Sequence, residues 1–421
     1  LNSNKQEFLI MKIIYKYIIL FLLSVVAINT NAQIIANGNT DQATSNSGAP
    51  IFLFSDLSSG SLSVSTLPES TYTWYTYSGT GWNQIQSSNN PTLTTSLLET
   101  GYRVVRNNTT STDEFFCWVF QPEIISAEIE TTTFDCINLD LAVIPQVKTL
   151  TYYNFTNGSP ITLDYSYSYQ WESLPAGEID GSTEAIPEIT SPYENTSYTV
   201  NLSAFNGAAT TTATIDIEAI AVSAAFSFTP TDRENYNELQ ELNYKGSAPM
   251  SVAFESESLG TITDYEWNFI KNAFGDDEAY TYAPHLEPNT NFTFEEIGTY
   301  NITLTVSNIF SGCSNIKEID TPLEVIEIKL EAPNVFTPNG DGINDEFVVV
   351  YRSIKSFKMV IVNRWGRKVF TTTNPAEGWD GKISGREASE GVYFYYIEAK
   401  GFNEGETLEK KGPLHLIRGK K

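Results

Sequence analysis

The stretch Gly298-Thr-Tyr-Asn-Ile-Thr-Leu-Thr-Val-Ser-Asn308 sets Tyr300, Ile302, Leu304 and Val306 against polar partners at every second position. Only an extended strand with one buried face has a period of two. Tyr165-Ser-Tyr-Ser-Tyr-Gln-Trp171 alternates as strictly. The theme also repeats along the chain. Trp74, Trp171 and Trp267 stand 97 and 96 residues apart, and Tyr102, Tyr198 and Tyr300 stand 96 and 102 apart. Tandem β-sandwiches of about 100 residues give that spacing. Beyond the first 30 residues no long stretch shows helical apolar spacing. The 421 residues suffice for about three to four domains. The reading is an all-β chain of tandem sandwiches.

Residues 33–126 form the first expected module, with strands at Ile51–Phe54, Thr71–Tyr77, Gly101–Val105 and Phe115–Phe120. Residues 127–222 form the second and 223–329 the third. No long Pro- or Ser-rich linker separates them, so they are expected to stack closely. Trp74 is expected in a core, with sugar stacking as the alternative. The tyrosines of Tyr165–Trp171 are expected on a packed face, with a ligand platform as the alternative.

Two lysines after Met11, an apolar run from Ile18 to Ile28, and Thr30-Asn-Ala32 before Gln33 make the three-part pattern of a secretory signal peptide over 11–32. The run is too short for the roughly 20 residues a membrane span needs. Three cysteines, Cys117, Cys136 and Cys313, cannot all pair within one chain. Two readings stand: Cys117 pairs with Cys136 after export, or all three are small buried hydrophobes.

Residues 33–329 carry 8 Lys/Arg against 38 Asp/Glu, whereas 330–421 carry 14 against 12, so the charge turns from −30 to +2. The acidic part repels nucleic acid and anionic surfaces. The last 90 or so residues read as a separate module. Asn334-Val-Phe-Thr-Pro-Asn-Gly-Asp-Gly-Ile-Asn-Asp-Glu-Phe347 opens it. Two strands bent at Asn363-Arg364-Trp365-Gly366 follow, then a turn at Trp379-Asp380-Gly381, a dense aromatic strand from Gly391 and Val392-Tyr393, and a last strand from Lys410 to Arg418.

Two resemblances emerge from these residues. Asp264-Tyr-Glu-Trp-Asn-Phe269 with Gly298–Asn308 resembles the signature strands of PKD-type immunoglobulin-like domains. The insertion Asn268-Phe-Ile-Lys-Asn-Ala-Phe-Gly-Asp-Asp277 stands where that family carries Gly-Asp-Gly. By their shared rhythm, the two earlier modules are read as immunoglobulin-like as well. From Leu330 onward, five motifs in order resemble the gliding-motility-associated C-terminal domain, the type B sorting domain of the type IX secretion system. These are the Pro338–Asp345 loop, the Asn363–Gly366 turn, the Trp379–Gly381 turn, the Gly391 strand, and Lys411-Gly412 followed by Leu416 and Arg418. The resemblance implies sorting roles for Thr337, Pro338, Gly340, Gly342, Asn344, Asn363, Arg364, Trp365, Gly366, Trp379, Asp380, Gly381, Gly391 and Tyr393. It implies export across the outer membrane, surface display or release, a type IX translocon, and a PorP/SprF-like outer-membrane β-barrel partner.

Chemistry is sparse. Asn339, Asp341, Asn344 and Asp345 offer the hard oxygens calcium prefers. Counted as an EF-hand from Thr337, position 12 falls on Val348 where that loop carries a bidentate Glu, which argues against an EF-hand. A looser calcium site on Asn339, Asp341 and Asp345 stands beside a loop whose Asx side chains close turns on their own backbone. His285 and His415 are the only histidines, and neither sits in a nucleophile or HExxH motif. No catalytic residue and no resident cofactor is expected. Arg364, Trp365, Trp379, Arg418, Lys420 and Lys421 are expected to form a basic-aromatic partner surface, or else to pack locally. The leading function is adhesion or scaffolding at the cell surface, including service to the gliding or secretion apparatus. The alternative is carbohydrate binding, and the ligand is not named by the sequence.

Overall fold

The computed structural model describes residues 33–155, 157–273 and 278–418. The expected signal peptide, residues 274–277 of the insertion, and Lys420 and Lys421 lie outside them. Strands dominate, and short 3-10 turns at Leu57–Ser59 and Phe205–Gly207 are the only helical elements among the described residues. None of the described helices is long and apolar enough to cross a membrane. Contacts divide the described residues into two compact units: those within 33–132, 140–189 and 197–216 in one; those within 133–139, 190–196 and 217–418 in the other.

In the first unit, six strands lie in the order Asp41–Thr44, Pro50–Leu53, Thr112–Phe120, Thr100–Asn107, Thr71–Tyr77, Trp82–Ser88. One face buries Phe52, Trp74, Tyr102, Val104 and Cys117 against Leu62 and Val64. The opposite face is also covered in part. Ile51, Leu53, Trp118 and Phe120 share a core with Leu150, Tyr152, Leu202 and Phe205. This explains why Pro50–Leu53 is apolar throughout and buried throughout, whereas a one-sided strand would alternate. Trp74 and Trp171 are wholly enclosed, so neither offers a sugar platform. Tyr165, Tyr167 and Tyr169 are half-buried and pack in sequence on one another, with centroids 5.8 and 6.3 Å apart.

Neither reading of the cysteines holds in full: Cys117 does not pair with Cys136, and the three are not all free. Cys117 is fully buried inside a strand, where burial pushes its thiol up and keeps it protonated. Cys136 is bonded to Cys313 instead, with Cα atoms 5.5 Å apart, and both residues belong to the second unit.

The second unit holds two sandwiches. In one, Gly298–Asn308 alternates buried and half-buried along its whole length and pairs with Asp264–Lys271 from Asp264↔Ser307 to Lys271↔Tyr300. Trp267, Phe254, Phe269 and Phe294 fill the core. The Tyr300 hydroxyl donates to the Glu296 carbonyl four residues back at 2.7 Å. Tyr102 meets Leu98 at the same offset. This is the tyrosine corner of immunoglobulin-like sandwiches, and it accounts for two of the three recurring tyrosines, Tyr102 and Tyr300.

The last sandwich has a five-stranded sheet in the order Val335–Phe336, Thr407–Leu416, Gly391–Lys400, Ser356–Asn363, Lys368–Thr372. Its core gathers Phe336, Phe347, Met359, Ile361, Trp379, Tyr393 and Ile397.

A polar excursion at 231–247 joins these two sandwiches. Asn237 is buried, and its Nδ2 donates to the carbonyls of Val349 (2.9 Å) and Pro375 (2.8 Å). Leu239 N–H donates to Tyr351 O at 2.8 Å, and Tyr351 N–H returns to Asn237 O at 3.2 Å. The excursion thus makes an isolated parallel bridge, Glu238 to Tyr351, beside Val350–Arg352. The Arg233–Glu241 ion pair holds its base, with Arg233 Nη2 also donating to Ser247 O (2.7 Å) and Pro249 O (3.0 Å).

Candidate sorting and partner site

Five sheet strands bring the sequence motifs to one end of the last sandwich. In register, Asn363 faces Tyr393, Gly391 faces Leu416, and Phe336 also faces Leu416. The Asn363 turn, the start of the Gly391 strand, the end of the last strand and the exit into the Thr337 loop therefore share one pole. The opposite pole, where Ser356 faces Lys400 and Lys400 faces Thr407, carries the turn 401–406. There Asn403 Oδ1 accepts from Ile297 N–H (3.2 Å) and Glu406 Oε1 accepts from Ile328 N–H (2.9 Å). The contacts with Ile297 and Ile328 thus lie at the pole opposite the motifs.

The loop at that pole is closed by its own side chains. Asp345 Oδ1 accepts from the N–H groups of Asn339 (2.9 Å) and Gly340 (2.7 Å), and its Oδ2 accepts from Gly342 N–H (2.8 Å). Asp341 Oδ1 accepts from Ile343 N–H at 2.8 Å, and Asn339 Oδ1 accepts from Asp341 N–H at 3.0 Å. Asn344 O accepts from Thr337 N–H at 2.8 Å. Gly340 and Gly342 take φ of +82° and +84°, where a Cβ is disfavoured. Asn339, Asp341 and Asp345 do come together, but their oxygens receive the loop's own N–H groups. Among the described residues no group of three or more His, Cys, Asp or Glu side chains is placed to hold a metal ion.

Those three N–H groups hold the Asp345 carboxyl below its ordinary value of 3.8, Gly340 contributing most. A depressed carboxylate contributes stability that is complete above the ordinary pKa and is lost as pH falls through the depressed one. Acid titration followed on the Gly340 and Gly342 amides should show the loop opening only below pH 3.8. Loss of their protection at pH 5 would contradict the assignment.

Arg418 ties the motifs together. Its Nη1 donates to Pro338 O (3.1 Å) and its Nη2 to Gly381 O (2.9 Å). A Cβ on Gly381, at φ +72°, would meet Arg418 Nη2 at 3.2 Å and Pro338 Cγ at 3.0 Å, so glycine is required there. Asp380 Oδ1 accepts from Lys382 N–H at 2.9 Å and squares the turn. Beside Arg418 opens a cleft of about 630 Å³ lined by Asn339, Asp345, Glu346, Asp380, Lys382 and Glu387.

Trp379 is not a surface residue. It is 1% exposed, packs on Tyr393 (4.9 Å) and Phe336 (5.4 Å), and donates from Nε1 to Lys382 O at 2.9 Å. Tyr393 is another corner, its hydroxyl donating to Ser389 O at 2.8 Å. The Asn363 turn is the opposite case. Asn363 Oδ1 accepts from Trp365 N–H (3.1 Å) and Arg367 N–H (3.0 Å), and Gly366 takes φ +78°. Trp365 is left 78% exposed, with the Arg364 guanidinium 4.9 Å above its ring. Of the expected basic-aromatic surface, Arg364 and Trp365 are presented, Arg418 is engaged by carbonyls, and Trp379 is core. Sequence reasoning missed Asn237 and Tyr351. A lone Asn in a polar loop carries no periodic signal.

Comparison with known proteins follows the same division. Residues 330–416 match the family model described as the CHU_C Type IX secretion signal domain. Residues 241–321 match the PKD domain. None of the curated proteins compared matches the chain. Among solved structures, the four N-terminal Ig domains of Dscam1 isoform 1.9 align at 12% identity over 92% of this chain and 99% of that one, with a TM-score of 0.27. Three N-terminal domains of the bacteriophage RB49 highly immunogenic outer capsid protein align at 11% identity over 70% and 99%, with a TM-score of 0.25. At these scores neither likeness supports a functional statement. The chain carries a PKD domain and, C-terminal to it, a type IX secretion signal domain, and the latter implies export across the outer membrane.

Proposed function

We propose that the chain is a type IX cargo that works at the cell surface as a non-enzymatic adhesion or scaffold protein, in the service of the gliding or secretion machinery. The observation that carries this reading is the pole at which the Asn363 turn, the Gly391 strand start, Arg418 and the Thr337 loop converge, opposite the turn 401–406. Delivery then depends on the pole. We assign its exposed part, Arg364 and Trp365, to contact with the translocon or with a PorP/SprF-like outer-membrane β-barrel. Arg and Trp are the residues enriched where partners bind most strongly. Asp345, Gly381 and Arg418 shape the pole and are not themselves the contact.

The test uses the full chain expressed in its host. The double variant Arg364→Ala/Trp365→Ala should melt with the parent, because both side chains are exposed and surface changes usually fall within about 0.5 kcal/mol. Its surface delivery should fall severalfold, with protein accumulating inside the outer membrane. Undiminished delivery would sink the assignment of these two residues. Undiminished delivery after removal of residues 330–421 would sink the reading as a whole.

A further inference from the structure

Strand Thr112–Phe120 is fully paired on one side only. Toward Thr100–Asn107 the ladder runs from Asn107↔Thr112 to Thr100↔Val119. On the other side Pro50–Leu53 pairs in parallel, but only from Ile51↔Trp118 to Leu53↔Phe120. Among the described residues no strand pairs with Thr112–Cys117 on that side. Alternate residues of an antiparallel strand turn their N–H and C=O away from the partner. This stretch therefore presents a row of unused backbone groups about 20 Å long, at ~3.4 Å per residue. Edges are normally blunted by charge, proline or a covering segment; Thr112–Cys117 holds no lysine or proline, and its charges are the acidic Asp113 and Glu114. Beside it lies a cleft of about 610 Å³ whose lining includes Ala49, Pro50, Glu114, Phe116 and Phe155.

We propose that this cleft binds an extended peptide, which adds as a strand along Thr112–Cys117 in continuation of Pro50–Leu53. Strand addition draws affinity from main-chain hydrogen bonds and selectivity from alternate side-chain pockets. The aromatic wall supplies an apolar pocket. A saccharide would need a free ring face, and the rings here are turned on one another. Phe155 stacks on Trp118 with centroids 5.1 Å apart and planes 7° apart, and Phe116 lies 5.1 Å from Phe155 and 5.7 Å from Trp82. The charge of the rim selects a basic peptide. Asp113 is committed to Arg106 at 2.8 Å, whereas Glu114 lies 3.9 Å from Arg103 with its side chain 47% exposed. The −30 charge of residues 33–329 steers in the same direction. This site lies wholly in the first unit and does not rest on the role assigned to the signal domain.

The test titrates residues 33–421 with a synthetic peptide of alternating lysine and valine, followed by calorimetry and by amide shifts. A control peptide has its central valine replaced by proline, which removes a ladder donor. Saturable one-site binding with shifts at Phe115, Phe116 and Cys117 is expected. The proline peptide, and the Glu114→Lys variant with the parent peptide, should each bind about tenfold more weakly. The melting temperature of Glu114→Lys shows that it is folded. The proposal is overturned if the peptide does not bind, if the proline control binds equally, or if cello- or chitohexaose binds instead and shifts Phe116 and Phe155.

Discussion

Trp379→Ala is expected to destabilise the signal domain by about 3–5 kcal/mol, the cost typical of emptying a large aromatic site, and to abolish surface delivery with it. The indole is enclosed between Tyr393 and Phe336, and its backbone pairs with Phe347 in both directions, at 2.9 and 3.0 Å. Removing it leaves a cavity under the very turn that Arg418 grips through Gly381 O. It also strips the Lys382 carbonyl of its indole donor. Trp379→Phe keeps most of the apolar contact and loses the hydrogen bond, worth about 0.5–1.5 kcal/mol. Calorimetric melting of both variants beside Trp365→Ala separates packing from contact. If Trp379→Ala melts like the parent, the turn is not anchored as described.

A comparable loss is expected at a site with no secretion motif. Glu241 is a carboxylate whose side chain is 2% exposed, paired with Arg233 at 17%. Its second oxygen accepts from Ser247 N–H at 3.0 Å. A Cβ on Gly246 would lie 2.2 Å from that oxygen, so the chain comes this close only because the position is glycine. Glu241→Ala leaves the Arg233 guanidinium without its counter-charge, and breaking a buried pair in this way costs about 3–5 kcal/mol. The loss should be read at a distance. The excursion would release Val350–Arg352, and hydrogen exchange at Leu239 and Tyr351 should rise together. Replacing both partners with apolar residues of similar volume should be far milder. Exchange that rises at Leu239 alone would show that the excursion does not brace the signal domain.

Much of this architecture was legible. Alternation at Gly298–Asn308 and the spacing of Trp74, Trp171 and Trp267 depend on burial at fixed periods, which sequence records directly. Four of the five C-terminal motifs were legible for a different reason: each is a turn or strand start whose backbone admits few residue types. Gly366 and Gly381 both hold positive φ. What escaped was the contact between distant segments. Nothing near Cys136 or Cys313 announces the other, and the small buried Cys117 looked like an equal candidate. Trp379 reads equally as a partner-surface or a locally packed residue, because a single Trp in a turn carries no period that says which side is buried. The register of the sheet, which gathers the motifs at one pole, depends on pairings no local pattern contains.

The Cys136–Cys313 bond has a consequence for passage. Disulfides form in oxidising compartments outside the cytoplasm. On the proposed route this one would close after the first membrane is crossed and before the second. The residues are 177 apart in sequence, so the bond ties a large ring into the cargo. A ringed chain cannot be drawn through a pore as a single thread. Whatever carries it outward must admit at least two strands abreast, and a folded domain is the simpler load.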